Sequence, residues 1–404
     1  MSESQSLQSS PMEKLRKVVN EIAYTRVHSN SPALHRSLVP ILTLASSLYS
    51  GALQIRRSLY RFSLLQKHRL PVPVISVGNL SWGGNGKTPM VEYISQFLVE
   101  SGVSPLILTR GYAGGDEAKM LARHLRGGPV KIGVGANRAA TAALFLEKYG
   151  CVDLSTLRTF FDLHERAEAR TISEKIGSVI LDDGMQHLSL SRDLEIVMLN
   201  GLNPWGNGHL VPLGPLRESL VALERVDIAV VHHVDLITKQ SLRDIENMIQ
   251  RFKKSIPIFY SKMVPKYLFD VKNARSHVAL QELRCASVLC VSAIGSADAF
   301  VKSIEMTGAG FVDRLDFSDH HLFEAQDVET MRRRANGLEH KSNSKPIIVV
   351  TEKDYDRDPE ILKCLDSYTV LVLCSELQIT PGTDVDSFNS TLMRALAANF
   401  YVYI

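Results

Sequence analysis

The stretch Val72-Pro-Val-Ile-Ser-Val-Gly-Asn79, continuing through Leu80 into Ser81-Trp-Gly-Gly-Asn-Gly-Lys-Thr88, decides the fold. Its first part is a short apolar run bounded by prolines and glycine, the pattern of a buried strand. Its second part matches GxxxxGK[ST], except that Ser81 stands where the first glycine would be. Strand, glycine-rich turn and helix thus follow in the order of a phosphate-binding loop. Gly83, Gly84 and Gly86 let backbone N–H groups turn inward around phosphate oxygens, and Ser81 and Asn85 belong to the same turn. Lys87 is placed to reach the β- and γ-phosphates, and Thr88 to offer its hydroxyl to Mg2+. A nucleotide and Mg2+ are the ligands this loop predicts.

A second apolar run, Ser178-Val-Ile-Leu-Asp-Asp183, ends in two carboxylates. Hard cations prefer carboxylate and water oxygens, so Asp182 and Asp183 are the expected metal anchors beside the loop. Further strand-like runs at 105–110, 194–199 and 228–233 alternate with helical patterns. They predict an α/β fold with a doubly wound, mostly parallel sheet of the P-loop NTPase type over residues 71–255. Runs at 256–262, 287–293, 311–317, 346–351 and 368–374, with a helix over 384–400, predict a second, smaller α/β domain over 256–404. A site between two such lobes suits closure on a bound nucleotide.

Composition narrows the function classes. With 45% hydrophobic and 22% charged residues in 404, the chain is neither a disordered tail nor a polytopic membrane protein. A formal charge of +3 gives no reason to expect nucleic acid as a partner. The cysteines at 151, 285, 290, 364 and 374 form no CxxC pair and read as reduced structural thiols. No secretory signal is expected, and residues 1–36, serine-rich and basic but interrupted by glutamates, read as an extension with some transit-peptide character.

Residues 37–70 predict a membrane-surface element. Leu38–Ile55 is 18 residues without a charge. Thr43, Ser46, Ser47, Ser50 and Gln54 fall on one helical stripe, and Leu38, Ile41, Leu42, Ala45, Leu48, Tyr49, Ala52 and Leu53 on the other. Arg56, Arg57, Arg61, Lys67, His68 and Arg69 follow, interleaved with Leu59, Tyr60, Phe62 and Leu65. Apolar insertion beside a basic cluster suits monotopic attachment to an anionic bilayer. Packing of the same face onto the protein core is the competing expectation.

Further motifs stand in order along the chain. They are Ser76–Pro89, Thr109-Arg-Gly-Tyr112, Gly115-Asp-Glu117, Val134-Gly-Ala-Asn-Arg138, Asp182-Asp-Gly-Met-Gln-His187, Gly206-Asn-Gly208, Gly214-Pro-Leu-Arg-Glu218, Phe317-Ser-Asp-His-His321 and Thr351-Glu-Lys-Asp354. Together they resemble the tetraacyldisaccharide 4'-kinases of lipid A biosynthesis. The resemblance implies ATP-dependent phosphorylation of the 4'-hydroxyl of a tetraacylated glucosamine disaccharide 1-phosphate at a membrane surface. The N-terminal extension allows mitochondrial import in a eukaryote; otherwise the expected location is the cytoplasmic face of the inner membrane. The resemblance puts Asp116 in a dyad with His320 or His321, which the sequence does not separate, and gives Asp116 the role of base. It carries substrate-binding roles onto Asn79, Arg110, Glu117, Arg217 and Glu218.

Read without the resemblance, Gly115-Asp-Glu117 is the start of a helix capped by Asp116. Three departures from the family's pattern stand out: only Ala113 and Gly114 join Tyr112 to Gly115, Ala118 follows Glu117, and Val231-His-His233 ends a strand near the expected base site. Two other functions stay open, another P-loop NTPase and a non-catalytic nucleotide-binding membrane protein. Oligomeric state is not legible.

Overall fold

The computed structural model describes residues 11–24, 33–111, 115–153, 173–382 and 386–400. Two helices, α1 (Pro11–Tyr24) and α2 (Ala33–Arg61), come first. Then follow β1 (Val74–Gly78), α3 (Lys87–Glu100), β2 (Ser104–Thr109), α4 (Asp116–His124), β3 (Lys131–Val134), α5 (Arg138–Tyr149), β4 (Ile176–Asp182), β5 (Leu194–Asn200), β6 (Ile228–His232) and α6 (Lys239–Phe252). The C-terminal part runs β7 (Ile258–Asp270), β8 (Asn273–Val278), β9 (Ser287–Ser292), α7 (Ala297–Glu305), β10 (Phe311–Asp316), α8 (Ala325–Ser342), β11 (Ile347–Thr351), α9 (Glu352–Arg357), α10 (Pro359–Lys363), β12 (Thr369–Pro381) and α11 (Phe388–Phe400).

Every described strand belongs to one sheet, ordered β10-β9-β11-β12-β7-β6-β5-β1-β4-β2-β3, with β8 attached to β7. β1 and β4 are buried along their whole length, as parallel strands covered by helices on both faces must be. Their register pairs Val77 with Asp182, which carries the acidic end of β4 to the foot of the P-loop. The predicted strand runs all fall on observed strands. β3 was not anticipated because Lys-Ile-Gly-Val is too short and mixed to show a period. β8 is a largely exposed edge strand without an apolar run.

The two parallel blocks are joined rather than separate. β7 pairs with β6 in parallel and with β12 in antiparallel fashion, the latter from Leu371↔Asp270 to Pro381↔Phe259. The core divides accordingly. Ile75, Met90, Ile94, Ile107 and Ile180 centre the P-loop block, and Val291, Met331, Val350 and Val372 one face of the C-terminal block.

α2 corrects the expected faces. It extends through Arg61, and its inward side is mixed: Leu42 and Ser46 are buried, the Ser46 hydroxyl donates to the Leu210 carbonyl at 3.0 Å, and the Tyr49 hydroxyl donates to the Arg217 carbonyl at 2.9 Å. Ile41, Leu44, Leu48 and Ile55 point outward, each more than 60% exposed. The helix is long and apolar enough to cross a membrane by length and composition, and little of it is buried in the protein. A core-packed helix would show the reverse.

Candidate active site

The P-loop is held from several sides. The Asn79 and Asn85 side-chain amides both donate to the Ser81 carbonyl, at 2.6 and 3.0 Å. Ser81 bridges to Leu216, and the Trp82 N–H donates to the Pro215 carbonyl at 3.0 Å. Ser81 and Asn85 are buried and shape the turn from within. Gly86 takes φ 74° as the N-cap of α3, and no side chain caps that end. An uncapped helix start behind a glycine turn presents backbone N–H groups and a positive dipole end, the arrangement that receives phosphate. A Cβ on Gly86 would lie 2.8 Å from the His232 ring, so only glycine fits.

The C-terminal block closes onto this loop. The Ser296 hydroxyl donates to the Gly84 carbonyl at 2.8 Å, and a Cβ on Gly295 would lie 2.4 Å from the Gly84 nitrogen. Between the blocks lies a cavity of about 810 Å³ whose lining includes Gly83, Lys87, Asp183, Arg217, His320 and Lys353.

Asp182 and Asp183 differ sharply. Arg217 donates both guanidinium nitrogens to Asp183, at 2.8 and 2.9 Å, and Lys87 stands 3.6 Å away. Burial pushes the Asp183 carboxyl up, and Lys87 with Arg217 outweighs it, so the group is held well below the usual carboxylate range. Asp182 is 1% exposed, and neither carboxylate oxygen has a hydrogen-bond partner. Burial, then the charge of Glu117, pushes it up to about 7. A buried carboxylate without a donor is costly unless a ligand supplies one, and Mg2+ is such a ligand. Among the described residues no group of three or more His, Cys, Asp or Glu gathers as a metal cluster. One carboxylate, the Thr88 hydroxyl, phosphate oxygens and water meet the demand of Mg2+ without one.

The ambiguity between the two histidines has a geometric answer. His320 Nδ1 lies 3.2 Å from Asp116 Oδ2, whereas His321 Nε2 lies 2.8 Å from Asp327 and its ring stacks on Phe317. Asp116 is 1% exposed and also receives Arg357, at 2.9 Å from Nη2, and the Glu117 N–H at 2.9 Å. Burial pushes its carboxyl up, but the His320 hydrogen bond, the Lys353 charge and Arg357 hold it down to about 2. The bond to Asp116 in turn raises His320 above the ordinary histidine value. His320 lines the cavity and Asp116 stands behind it. His320 adopts φ 61° and Asp183 φ 54°, left-handed conformations that non-glycine residues hold at a cost.

Two residues that the sequence left unassigned complete this cluster. Lys353 Nζ donates to Glu117 at 2.8 Å, and Arg357, 2% exposed, also donates to Asp354 at 2.8 Å and to the His321 carbonyl at 3.0 Å. The signal was Thr351-Glu-Lys-Asp354 itself. Glu218 is bound by Arg225, Arg57 and Gln186, so it tethers α2 to the wall of the site rather than facing the cavity. Asn79 is fully buried and holds Arg217 at 2.9 Å. The Tyr112–Gly115 connection falls largely outside the described residues.

The sequence model of the Tetraacyldisaccharide-1-P 4'-kinase family matches residues 38–397. The chain belongs to that family. It is 89% identical over 393 residues to an Arabidopsis thaliana protein named "Probable tetraacyldisaccharide 4'-kinase, mitochondrial", covering 97% of this chain and 100% of that one. It is 32% identical to a tetraacyldisaccharide 4'-kinase of Anaeromyxobacter sp. (strain Fw109-5), over 81% and 84% of the two chains. A crystal structure of LpxK from Aquifex aeolicus in complex with ATP superposes with a TM-score of 0.60 at 25% identity, over 91% of this chain and all of that one.

In this tetraacyldisaccharide-1-phosphate 4'-kinase family member a second cavity of about 310 Å³ shares Arg110, Asp183 and Arg217 with the first. Arg56 of α2 and Arg138 also line it, beside His187. Burial, then the charges of Arg138 and Arg192, pushes His187 down to about 4. Arg56, Arg110, Arg138 and Arg217 make this a cationic recess, with Asp183 the one carboxylate in its lining.

Proposed function

We propose that the chain transfers the γ-phosphate of ATP to the 4'-hydroxyl of a tetraacylated glucosamine disaccharide 1-phosphate, the lipid A precursor. The observation that carries this reading is the junction of the two cavities at Arg110, Asp183 and Arg217. One holds the P-loop and His320; the other is lined by arginines and reaches α2. The P-loop would cradle the triphosphate, with Lys87 on the β- and γ-phosphates. Thr88 and Asp182 would hold Mg2+, which when bound neutralises phosphate charge. Asp183 keeps Lys87 and Arg217 extended toward the phosphates.

The acceptor proton goes to the Asp116–His320 pair. In this arrangement the imidazole fronts the cavity, Nδ1 is engaged by Asp116, and Nε2 is the end left for the acceptor, with the Asp319 carboxylate 3.8 Å from it. The resemblance makes Asp116 the base within a dyad; we assign the proton to the imidazole of that dyad, with Asp116 orienting the ring and stabilising the imidazolium. Lys353 and Arg357 keep Asp116 and Glu117 ionised and in place. His321 is left out of the chemistry.

The arginines of the second cavity would take the substrate's 1-phosphate. The outward apolar side of α2 would enter the bilayer while Ser46, Tyr49 and Arg57 stay bonded to the body, which supports monotopic attachment rather than a span. A mitochondrial membrane is the location we infer. The blocks 71–255 and 256–404 would act as two lobes clasping ATP.

The test is transfer of labelled γ-phosphate from ATP to a tetraacyl disaccharide 1-phosphate in detergent micelles. Wild type is expected to form product, and Lys87→Ala and Asp116→Ala to lose it by roughly 10³-fold or more. ATP binding without transfer by the wild type would overturn the kinase reading for this acceptor.

A further inference from the structure

The family match begins at residue 38, yet α1, which precedes it, reaches the P-loop. Ile22 and Ala23 are fully buried, and Ile22 packs with Leu42 and Leu213. The Ala23 carbonyl accepts the Asn207 N–H at 2.9 Å, and the Ile22 carbonyl accepts the Asn207 side-chain amide at 2.9 Å. Gly206 adopts φ 55°, and a Cβ there would lie 2.7 Å from the Ala23 carbonyl oxygen, so the two backbones approach as closely as only glycine permits. His35 of α2 pairs with Glu21 of α1 at 3.2 Å. Tyr24, the last residue of α1, donates its hydroxyl to the Trp82 carbonyl at 3.3 Å, and the Tyr24 hydroxyl oxygen lies 3.6 Å from where a Gly83 Cβ would stand.

We infer that Tyr24 is a positioning residue for the nucleotide loop: the N-terminal extension, through α1 and the Tyr24 hydroxyl, braces the Trp82–Gly83 peptide and so tunes ATP affinity. The argument has two independent parts. The docking of Ile22 and Ala23 on the Gly206-Asn-Gly208 turn fixes where the end of α1 stands. The Tyr24–Trp82 bond then acts on a loop whose glycines gain their phosphate-binding shape from such outside contacts. Trp82 and Gly83 line the ATP-sized cavity, and Asp319, whose charge Tyr24 senses, lines it as well. α1 thus touches the nucleotide site from outside residues 38–397, the stretch that the family's sequence model matches.

This inference rests on the ATP reading of the cavity, and its test measures nucleotide binding directly. A fluorescent ATP analogue is titrated with Mg2+ onto the full chain, a variant lacking residues 1–10, Tyr24→Phe, and a variant lacking residues 1–24, with thermal unfolding and steady-state kinetics alongside. Loss of one neutral hydrogen bond predicts a roughly two- to tenfold weaker ATP Kd and KM for Tyr24→Phe, with kcat at saturating ATP within about twofold. Removal of 1–24 is expected to weaken ATP further, and removal of 1–10 to leave it unchanged. Should the variant lacking 1–24 fail to fold, Tyr24→Phe decides, since it keeps Ile22 and Ala23 in place. Equal ATP affinity in wild type and Tyr24→Phe overturns the brace alone; a wild type that binds no ATP overturns the nucleotide reading and the brace with it.

Discussion

Asp116 and Asp182 are equally buried, each 1% exposed, and both stand beside the same cleft. Asp116 has donors on both oxygens and is held down to about 2; Asp182 has none and is pushed up to about 7. The difference separates a carboxylate whose charge the fold itself supplies with partners from one whose partner must come from solution. The first is part of the scaffold as much as of the chemistry. The second lowers stability until a cation arrives.

The comparison is sharpest in a pair of isosteric variants. Asp182→Asn is expected to cut transfer by roughly 10³-fold, because several kcal/mol of charge stabilisation depend on the metal it would hold. The metal-free protein should nevertheless melt higher, by roughly 1–3 kcal/mol near neutral pH. Asp116→Asn should also lose on the order of 10²–10³ in kcat but melt lower, by about 2–3 kcal/mol, since it weakens a buried pair with Arg357. Calorimetry without Mg2+ reads the two signs, and a lower melting point for Asp182→Asn would break the contrast.

Their pH dependences also oppose each other. Asp116, with its folded value depressed to about 2, contributes stability present above pH of about 4 and lost as pH falls toward 2. Asp182, raised to about 7, contributes in the opposite sense: its share is intact below pH of about 4 and is lost as pH rises through 7. The melting-point gap between metal-free wild type and Asp182→Asn should accordingly widen from pH 4 to 7 and then level off.

Activity should rise through an acid limb set by His320, whose value lies above the ordinary 6.5 because Asp116 bonds it. In Asp116→Asn the residual activity should show that limb moved down toward about 6.5. A kcat/KM profile that falls across this range would instead place the charged imidazole in the active form. The smallest effect is expected at His321→Ala, within about threefold of wild type, because that ring is engaged by Asp327 and Phe317.

The nucleotide half of the site was legible because its chemistry is local. Ser81 to Thr88 is one continuous turn, and Asp182 ends an apolar run that could only be a buried strand. The acceptor half was legible only through the resemblance, because its contacts span the chain: Asp116 meets His320 across 204 positions and Arg357 across 241. No periodicity encodes such pairings. Arg357 was invisible for a second reason, since an arginine at the end of a short helix reads as a solvated charge, and only the fold reveals it as 2% exposed. The faces of α2 were misdrawn because the pattern sorted residues by polarity alone, whereas Ser46 of the polar stripe and Tyr49 of the apolar one both turn inward to backbone carbonyls. The antiparallel join of β7 and β12, which makes one sheet of two blocks, left no mark that a single strand's residues could show.

The docking of α1 carries a consequence for the life of the chain before it works. A presequence is ordinarily disposable, but Ile22 and Ala23 are sealed into the body and Asn207 grips both of their carbonyls. A maturation protease could remove residues ahead of α1 and leave this assembly whole. A cut beyond Tyr24 would discard a piece of the finished enzyme, so the mature N-terminus is expected upstream of Ile22, where Edman sequencing or mass spectrometry of the protein purified from its native source can locate it.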